Sequence, residues 1–150
     1  MEEIIMKLTT PYLGEIEYEK DEIIQFEQGL YGFEENQSFI LVNLDDPEFP
    51  FNWLQSIEDE ELSFVLTSPF LFIENYEFEL PDQVAEALNI KVPEEALILS
   101  TVVLNEELHQ STMNLQAPII INRNSNKGRQ NILEEDYDLK YKFLLKKEGN

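Results

Sequence analysis

The sequence contains no cysteine and only one histidine, His109, among its 150 residues. Without thiols it has no disulfide framework, no thiolate zinc site and no cysteine nucleophile. A catalytic triad would need His109, and no G-x-S-x-G elbow supplies the serine. A metal site of imidazole or thiolate ligands is equally hard to assemble. We therefore predict no catalytic residue, no cofactor and no bound metal.

Long apolar runs are also lacking. The longest, from Ala96 to Leu104, is interrupted by Ser100 and Thr101, and it is far shorter than the ~20 residues that span a bilayer. The first six residues carry acid where a secretory signal carries lysine or arginine. These features predict a cytoplasmic protein without a membrane segment.

Glycine is scarce, with five in the chain. The stretch from Gly29 to Glu34 lacks the lysine and the spacing of a phosphate-binding loop. We expect Gly29 and Gly32 instead to provide backbone positions with positive φ between two strands.

Acidic residues are abundant and are concentrated before position 109. The 31 acidic and 10 basic residues give a formal net charge of −21. Only 3 of the basic residues precede position 109, whereas 26 of the acidic ones do. Such a field repels nucleic acid and anionic membranes and speeds encounter with basic partners. The alternative interpretation is that the charge only maintains solubility.

The composition predicts one folded domain over residues 1–150. Hydrophobic residues make up 43% of the chain, with ten Phe and six Tyr, which is ample for a core of this size. No repeat, low-complexity tract or Gly/Ser-rich linker divides it.

Most of the chain has a strand-like pattern. Leu13 to Tyr18 alternates, with Ile16 and Tyr18 on one face, and we expect it to form a hairpin with Ile23–Phe26. Short apolar runs rich in Phe, Ile, Val and Leu predict strands buried on both faces. They are Ser38–Leu44, Trp53–Ile57, Ser63–Ser68 and Leu97–Leu104.

The last third of the chain is expected to be strand-rich as well. Pro118–Asn122 and Arg129–Glu134 flank a polar loop and predict a hairpin. In the final strand, Leu139, Tyr141, Phe143 and Leu145 share one face, and Lys140, Lys142 and Lys146 share the other.

Helical signals are few. Pro81 to Asn89 predicts a helix of about two turns, with Val84 and Leu88 on its buried face, and Pro93 begins a possible second turn. Eight or more short strands with one or two short helices predict a mainly β fold, a small antiparallel barrel or sandwich.

An acidic turn joins two of the predicted strands. Glu58, Asp59 and Glu60 do not match a calcium loop of the EF-hand kind. The turn is either simply solvated or the acidic half of a protein interface. Because carboxylates are abundant, a hydrolase that uses two of them in a barrel mouth stays an alternative.

The segment from Pro69 to Phe78 is the densest aromatic stretch, with five aromatic side chains interleaved with acid. Alternation cannot bury all of them. Phe70, Phe72 and Tyr76 are therefore candidates either for the core or for an apolar binding patch. The acidic rim of such a patch would be Glu74, Glu77 and Glu79.

Several segments together resemble the flagellar assembly factor FliW family, over about residues 11 to 134. The residues that carry the resemblance are Gly14-Glu15-Ile16, Phe26 with Gly29-Leu30-Tyr31-Gly32-Phe33-Glu34, Trp53-Leu54-Gln55-Ser56, Phe64-Val65, Pro69-Phe70-Leu71-Phe72 with Tyr76, Asn114-Leu115-Gln116-Ala117-Pro118-Ile119, and Gln130 with Ile132-Leu133. Tyr31 stands where the family usually has proline, and the tail after Asp138 matches less well.

The resemblance implies a compact β-barrel-like protein without enzymatic activity. It implies two partners, the dimeric RNA-binding regulator CsrA, antagonised without occupation of its RNA site, and flagellin, which competes for the FliW-like protein. Asn114 and Gln116 join the candidate contact residues. We expect a monomer when the protein is free and no direct contact with nucleic acid. The alternative is an acidic nucleic-acid mimic that occupies the RNA site directly.

Overall fold

The structure is a computed structural model that describes residues 5–43 and 50–143. Its strands are β1 (Ile5–Thr10), β2 (Gly14–Glu19), β3 (Ile24–Gln25), β4 (Ser38–Asn43), β5 (Asn52–Ser56), β6 (Ser63–Thr67), β7 (Leu97–Val103), β8 (Thr112–Met113), β9 (Ile119–Asn122), β10 (Lys127–Gln130) and β11 (Tyr141–Lys142). Helix α1 spans Asp82–Ala87, and short 3-10 turns span Lys20–Glu22, Pro69–Leu71, Pro93–Glu95 and Leu108–Gln110.

Seven of these strands close into a barrel. Their order is β7-β6-β5-β4-β3-β10-β9, and β9 pairs back to β7. All pairs are antiparallel except β3 with β10. The predicted mainly β, barrel-like fold is confirmed.

One edge of β7 serves two neighbours. Its first half, Leu97–Leu99, pairs with β9 and closes the barrel. Its second half, Val102 and Val103, pairs with β8, which in turn pairs with β11. The sheet therefore continues past the barrel as a short outer extension.

The barrel interior is apolar. Side chains alternate across each strand, so Ile119 and Ile121 point inward while Ile120 points outward. The fully or nearly fully buried interior residues are Ile24, Phe26, Leu30, Phe39, Leu54, Leu66, Leu99, Ile119 and Ile121.

Three structural units cover the outer surface of the barrel. The β1–β2 hairpin packs Leu8 and Tyr18 on the outward-facing Ile40 of β4. Helix α1 packs Val84 and Leu88 on Ile120 of β9. Segments 69–80 and 131–143 cover β7 and β8 with a third cluster, whose buried members are Phe51, Tyr76, Val102, Met113, Leu115, Leu133 and Phe143.

The predicted pairing of the first two strands is wrong. Strand β2 forms with the expected faces, but it pairs with β1, which was not predicted, and not with β3. A 3-10 turn at Lys20–Glu22 follows β2, and the Glu22 carboxylate accepts the Glu19 N–H at 2.9 Å. This turn redirects the chain, so β3 reaches β4 and β10.

The C-terminal hairpin is confirmed in kind but shifted. Its second strand begins at Lys127 and ends at Gln130, not at Arg129–Glu134 as predicted. The loop is tighter because Asn126 adopts φ of +54° and Asn122 Oδ1 accepts the Asn124 N–H.

The predicted final strand is mostly absent from the described residues. It is reduced to the two residues of β11, and Leu139 is 63% exposed. The expectation fails for Leu139 because it lies in a turn before β11. Leu145 and Lys146 lie outside the described residues.

The predictions for the four central strands and for the helix are confirmed. The four central runs form β4 to β7, each with adjacent buried residues, such as Phe39 and Ile40. Helix α1 buries Val84 and Leu88, and the chain leaves it at Asn89 with φ of +58°. Within the described ranges, no helix has the length and apolarity needed to cross a membrane.

Candidate functional site

The barrel end at which β3, β5, β7 and β10 finish is strongly acidic; we call it the acidic end. The β3–β4 loop (26–37), the β5–β6 loop (57–62) and the β7–β8 loop (104–111) lie there, because antiparallel pairing brings these connections to one side. They carry three, four and two acidic side chains respectively, and no lysine or arginine. Facing loops of one charge sign create a strong local field.

The β5–β6 turn is stabilised by the side chains of the last two residues of β5. Ser56 Oγ accepts the N–H groups of Glu58 (3.1 Å) and Asp59 (3.0 Å). Gln55, 1% exposed, donates its amide to the Glu60 carbonyl at 3.1 Å. Because the backbone polar groups are satisfied beneath it, the turn is held in a fixed conformation.

The three candidate acids of this turn have different roles. Glu58 Oε1 accepts the N–H groups of Gln37 (2.6 Å) and Ser38 (2.8 Å), so it joins two loops of the acidic end. Asp59 Oδ1 accepts the Glu61 N–H at 3.0 Å. Glu60 is exposed at the surface. The turn therefore contains one carboxylate with a structural role, Glu58, and one that is exposed at the surface, Glu60.

Two aromatic side chains that were not among the predicted contact residues also lie at the acidic end. Tyr31 is 56% exposed, and its N–H donates to Gln130 Oε1 at 3.0 Å. Phe33 packs edge-on against Phe64 with ring centroids 5.2 Å apart. The sequence feature that could have pointed to these residues is the nearby pair of glycines. As expected, both have positive φ, +65° at Gly29 and +87° at Gly32.

The aromatic segment divides between core and surface. Tyr76 is 3% exposed, its hydroxyl donates to the Leu115 carbonyl at 2.6 Å, and its ring meets Tyr137 at 4.8 Å. Burial raises the pKa of this hydroxyl, and the nearby Tyr137 and Glu135 add to the effect. Of the two alternatives left open for Tyr76, the structure supports the core.

Phe72 is half-buried, and its ring lies 4.8 Å from that of Phe143. It belongs mainly to the cluster that covers β7 and β8. Phe72 is a structural residue with a small exposed part.

Phe70 and the neighbouring Leu71 remain at the surface, 50% and 64% exposed. The turn at Pro69–Leu71 breaks the alternation and turns both outward. Glu74 and Glu77 are exposed on the same segment. We call these four residues the Phe70 surface, an apolar centre with acid beside it.

Asn114 and Gln116 hold the backbone together. Asn114 Oδ1 accepts the N–H groups of Gln116 and Ala117, both at 3.0 Å. Gln116 Nε2 donates to the carbonyls of Leu133 (2.9 Å) and Glu135 (2.8 Å), and its Oε1 accepts the Tyr137 N–H at 2.9 Å. Gln116 thereby fastens segment 131–138 to the barrel, and both residues are structural elements near the Phe70 surface.

Metal-binding groupings do not emerge from the described part of the chain. It contains no group of three or more His, Asp or Glu residues placed to hold a metal. Hydrogen bonds from the N–H groups of Lys91 and Val92 lower the pKa of Glu95. A lowered pKa keeps this carboxylate ionised, which is the opposite of what a general acid requires.

Comparison with known proteins gives one consistent result. The profile of the FliW protein family matches residues 7–144. The flagellar assembly factor FliW of Thermoanaerobacter pseudethanolicus is 40% identical over 140 residues, 93% of each chain. That of Clostridium novyi is 43% identical over 145 residues, 96% of this chain and 99% of its relative. A crystal structure of the flagellar assembly factor FliW superposes with a TM-score of 0.87 at 36% identity, covering 95% of this chain and 99% of the other.

Proposed function

Because this chain belongs to the FliW family of flagellar assembly factors, we propose that it acts by binding two proteins. The first is a CsrA-type RNA-binding regulator, which it antagonises without entering the RNA site. The second is flagellin, which competes for it and so links flagellin level to flagellin translation. It acts by binding and not by catalysis, as a cytoplasmic monomer that does not itself contact nucleic acid or membrane.

The observation that carries the proposal is the acidic end. Its three loops present carboxylates without any lysine or arginine among them. An RNA-binding regulator carries basic residues to meet phosphates, so the two surfaces are complementary in charge. Tyr31 and Phe33 add exposed aromatic area of the kind enriched at protein interfaces.

The proposed mechanism of antagonism is electrostatic. A chain of net charge −21 docked beside an RNA site raises the free energy of bringing phosphates there, even when the site stays open. Salt screens this repulsion over about 10 Å at 0.1 M. Inhibition should therefore weaken at high salt even when the complex is kept saturated.

The acidic end is tested by charge reversal. Glu60→Lys with Glu61→Lys should weaken binding of the regulator at least about tenfold, because close charge pairs across interfaces carry coupling energies of more than 1.4 kcal/mol. The matched control is Glu17→Lys with Glu86→Lys, which makes the same charge change on β2 and α1. Isothermal titration calorimetry at fixed salt measures both. Equal loss in the two variants would contradict a specific role for the acidic end.

Competition kinetics separate the proposal from the nucleic-acid mimic. A non-competitive antagonist raises the apparent Kd of the regulator for RNA to a plateau. A mimic raises it without limit as more protein is added. RNA binding to the regulator, followed by fluorescence anisotropy over a range of protein concentrations, distinguishes the two outcomes.

For flagellin, the Phe70 surface is the proposed contact, because amphipathic terminal helices dock through apolar anchors. Phe70→Ser with Leu71→Ser should weaken flagellin binding at least about tenfold and leave the far-UV spectrum unchanged. Val92→Ser, a change at an exposed apolar residue elsewhere, is the control. Unchanged flagellin affinity in the double variant would exclude this surface. Changes at Phe72 and Tyr76 would instead disturb the core.

A further inference from the structure

A groove of about 290 Å³ lies between the residues that lead into α1 and the segment that follows β10. Four carboxylates line it, Glu79 and Asp82 on one wall and Glu134 and Glu135 on the other. Among the described residues that line it, none is lysine or arginine. A cationic side chain that entered would meet several partners and no like charge.

The groove is also apolar in part. Ile132, which lines it, is 56% exposed, and Leu80 is half-buried beside it. The methylene stems of lysine and arginine pack on such surfaces while their charged heads reach polar groups. The lining therefore matches a basic side chain next to an apolar one.

Segment 131–133, which lines one wall of the groove, has backbone groups outside the strand pairing. Segment 131–133 extends the pairing of β10 with β9, since Asn131 N–H donates to the Pro118 carbonyl (3.0 Å) and Leu133 N–H to the Gln116 carbonyl (2.9 Å). Backbone groups of successive residues in an extended chain point to opposite edges. The N–H and C=O of Ile132 take no part in this pairing, and no other group in the described residues bonds to them.

We propose that this groove binds an extended peptide segment of a partner protein in which an arginine or lysine lies next to an apolar residue. The cation pairs with Asp82 and Glu134, the apolar side chain covers Ile132, and the peptide backbone bonds to the Ile132 N–H and C=O. Main-chain bonds then contribute affinity and the side chains specificity, as when a strand is added to a sheet edge. The lining residues of the groove belong neither to the three loops of the acidic end nor to the Phe70 surface, so the proposal does not rest on the proposed function.

The test uses the whole chain and a fluorescein-labelled peptide of alternating leucine and arginine, with anisotropy as the readout at about 0.15 M salt. We expect saturable binding. Asp82→Asn with Glu134→Gln, and separately Ile132→Ser, should each weaken it about tenfold, because charge-assisted bonds and buried apolar anchors carry such contributions. Glu17→Gln with Glu94→Gln removes two charges at exposed positions that do not line the groove and should change the affinity less than about twofold.

A second measurement does not depend on variants. Hydrogen exchange of the Ile132 amide should slow when the peptide is added, because the proposal gives it a new acceptor. Equal weakening by the groove and control variants would overturn the proposal in favour of general attraction to the net charge. Unchanged exchange at Ile132 with saturating peptide would overturn the backbone pairing. Neither result bears on the regulator or on flagellin.

Discussion

Gly29 stands where the chain turns back on itself after β3. It has φ of +65°, and a Cβ there would lie 2.6 Å from Glu34 Cα. We expect Gly29→Ala to lower the free energy of unfolding by about 2–4 kcal/mol, from backbone strain and a clash with main chain. At Gly14, φ is +68° but a Cβ would meet nothing within 4 Å, so Gly14→Ala should cost only about 1 kcal/mol. Urea unfolding measures both, and equal losses would contradict the steric argument.

Tyr76 should make stability sensitive to alkaline pH. Its folded-state pKa is raised by burial above the ordinary value of about 10. The unfolded chain therefore loses this proton first, so the stability from Tyr76 is full below about pH 10 and is lost as pH rises above it. Tyr76→Phe should cost about 1–2 kcal/mol near neutral pH, through loss of the bond to the Leu115 carbonyl. The gap between the two proteins should shrink above about pH 10; a constant gap in urea titrations would contradict this.

Which aromatic residues are buried could not be read from residue types alone. The sequence shows five aromatic side chains between Pro69 and Phe78, more than one face can hold. The division depends on the 3-10 turn at Pro69–Leu71, which exposes Phe70, and on Leu115, which is distant in sequence and binds the Tyr76 hydroxyl. The alternating pattern cannot predict which side chains are buried across such a turn, because it assumes a continuous strand.

At the scale of elements, Gln116 fastens one covering layer to the barrel. Its side chain makes three hydrogen bonds to segment 131–137. We expect Gln116→Ala to lower the free energy of unfolding by about 2–4 kcal/mol, since each bond contributes about 0.5–1.5 kcal/mol. Exchange of the Tyr137 amide, which donates to Gln116 Oε1, should accelerate.

Gln83→Ala, a change at an exposed residue of α1, provides the comparison for Gln116→Ala. It should alter stability by less than about 0.5 kcal/mol. Protection at Tyr137 that is the same in both variants would contradict the fastening role of Gln116.

The central strands were predictable from the sequence, but the pairing of β2 and β3 was not. The apolar runs that form β4 to β7 are long enough for burial on both faces to be visible in composition. Strands β3, β8 and β11 have two residues each, too few for any period. The parallel contact of Lys127 with Gln25 joins residues about a hundred positions apart, so no turn pattern in the sequence predicts it.

At the scale of the molecule, a net charge of −21 is opposed by few ion pairs. Those between described residues are Lys7–Glu15 at 3.8 Å, Lys127–Glu27 at 4.0 Å and His109–Glu107 at 3.6 Å. Like charges repel more in the compact state. We expect Tm to rise by about 3–8 °C when NaCl increases from about 10 mM to about 1 M, where the Debye length falls from about 30 Å to about 3 Å.

Tetramethylammonium chloride, at matched ionic strength, should produce a similar rise in Tm, because screening does not depend on the cation. Differential scanning calorimetry measures both series. A rise confined to one cation would indicate specific binding and contradict general self-repulsion.

The shared edge of β7 bears on how this protein unfolds. Half of that edge closes the barrel, and the other half carries β8 and, through it, β11. Because β7 is common to both, we expect loss of the barrel to remove the pairing edge on which β8 and β11 depend. We therefore expect changes that stabilise the barrel also to protect the outer strands from unfolding.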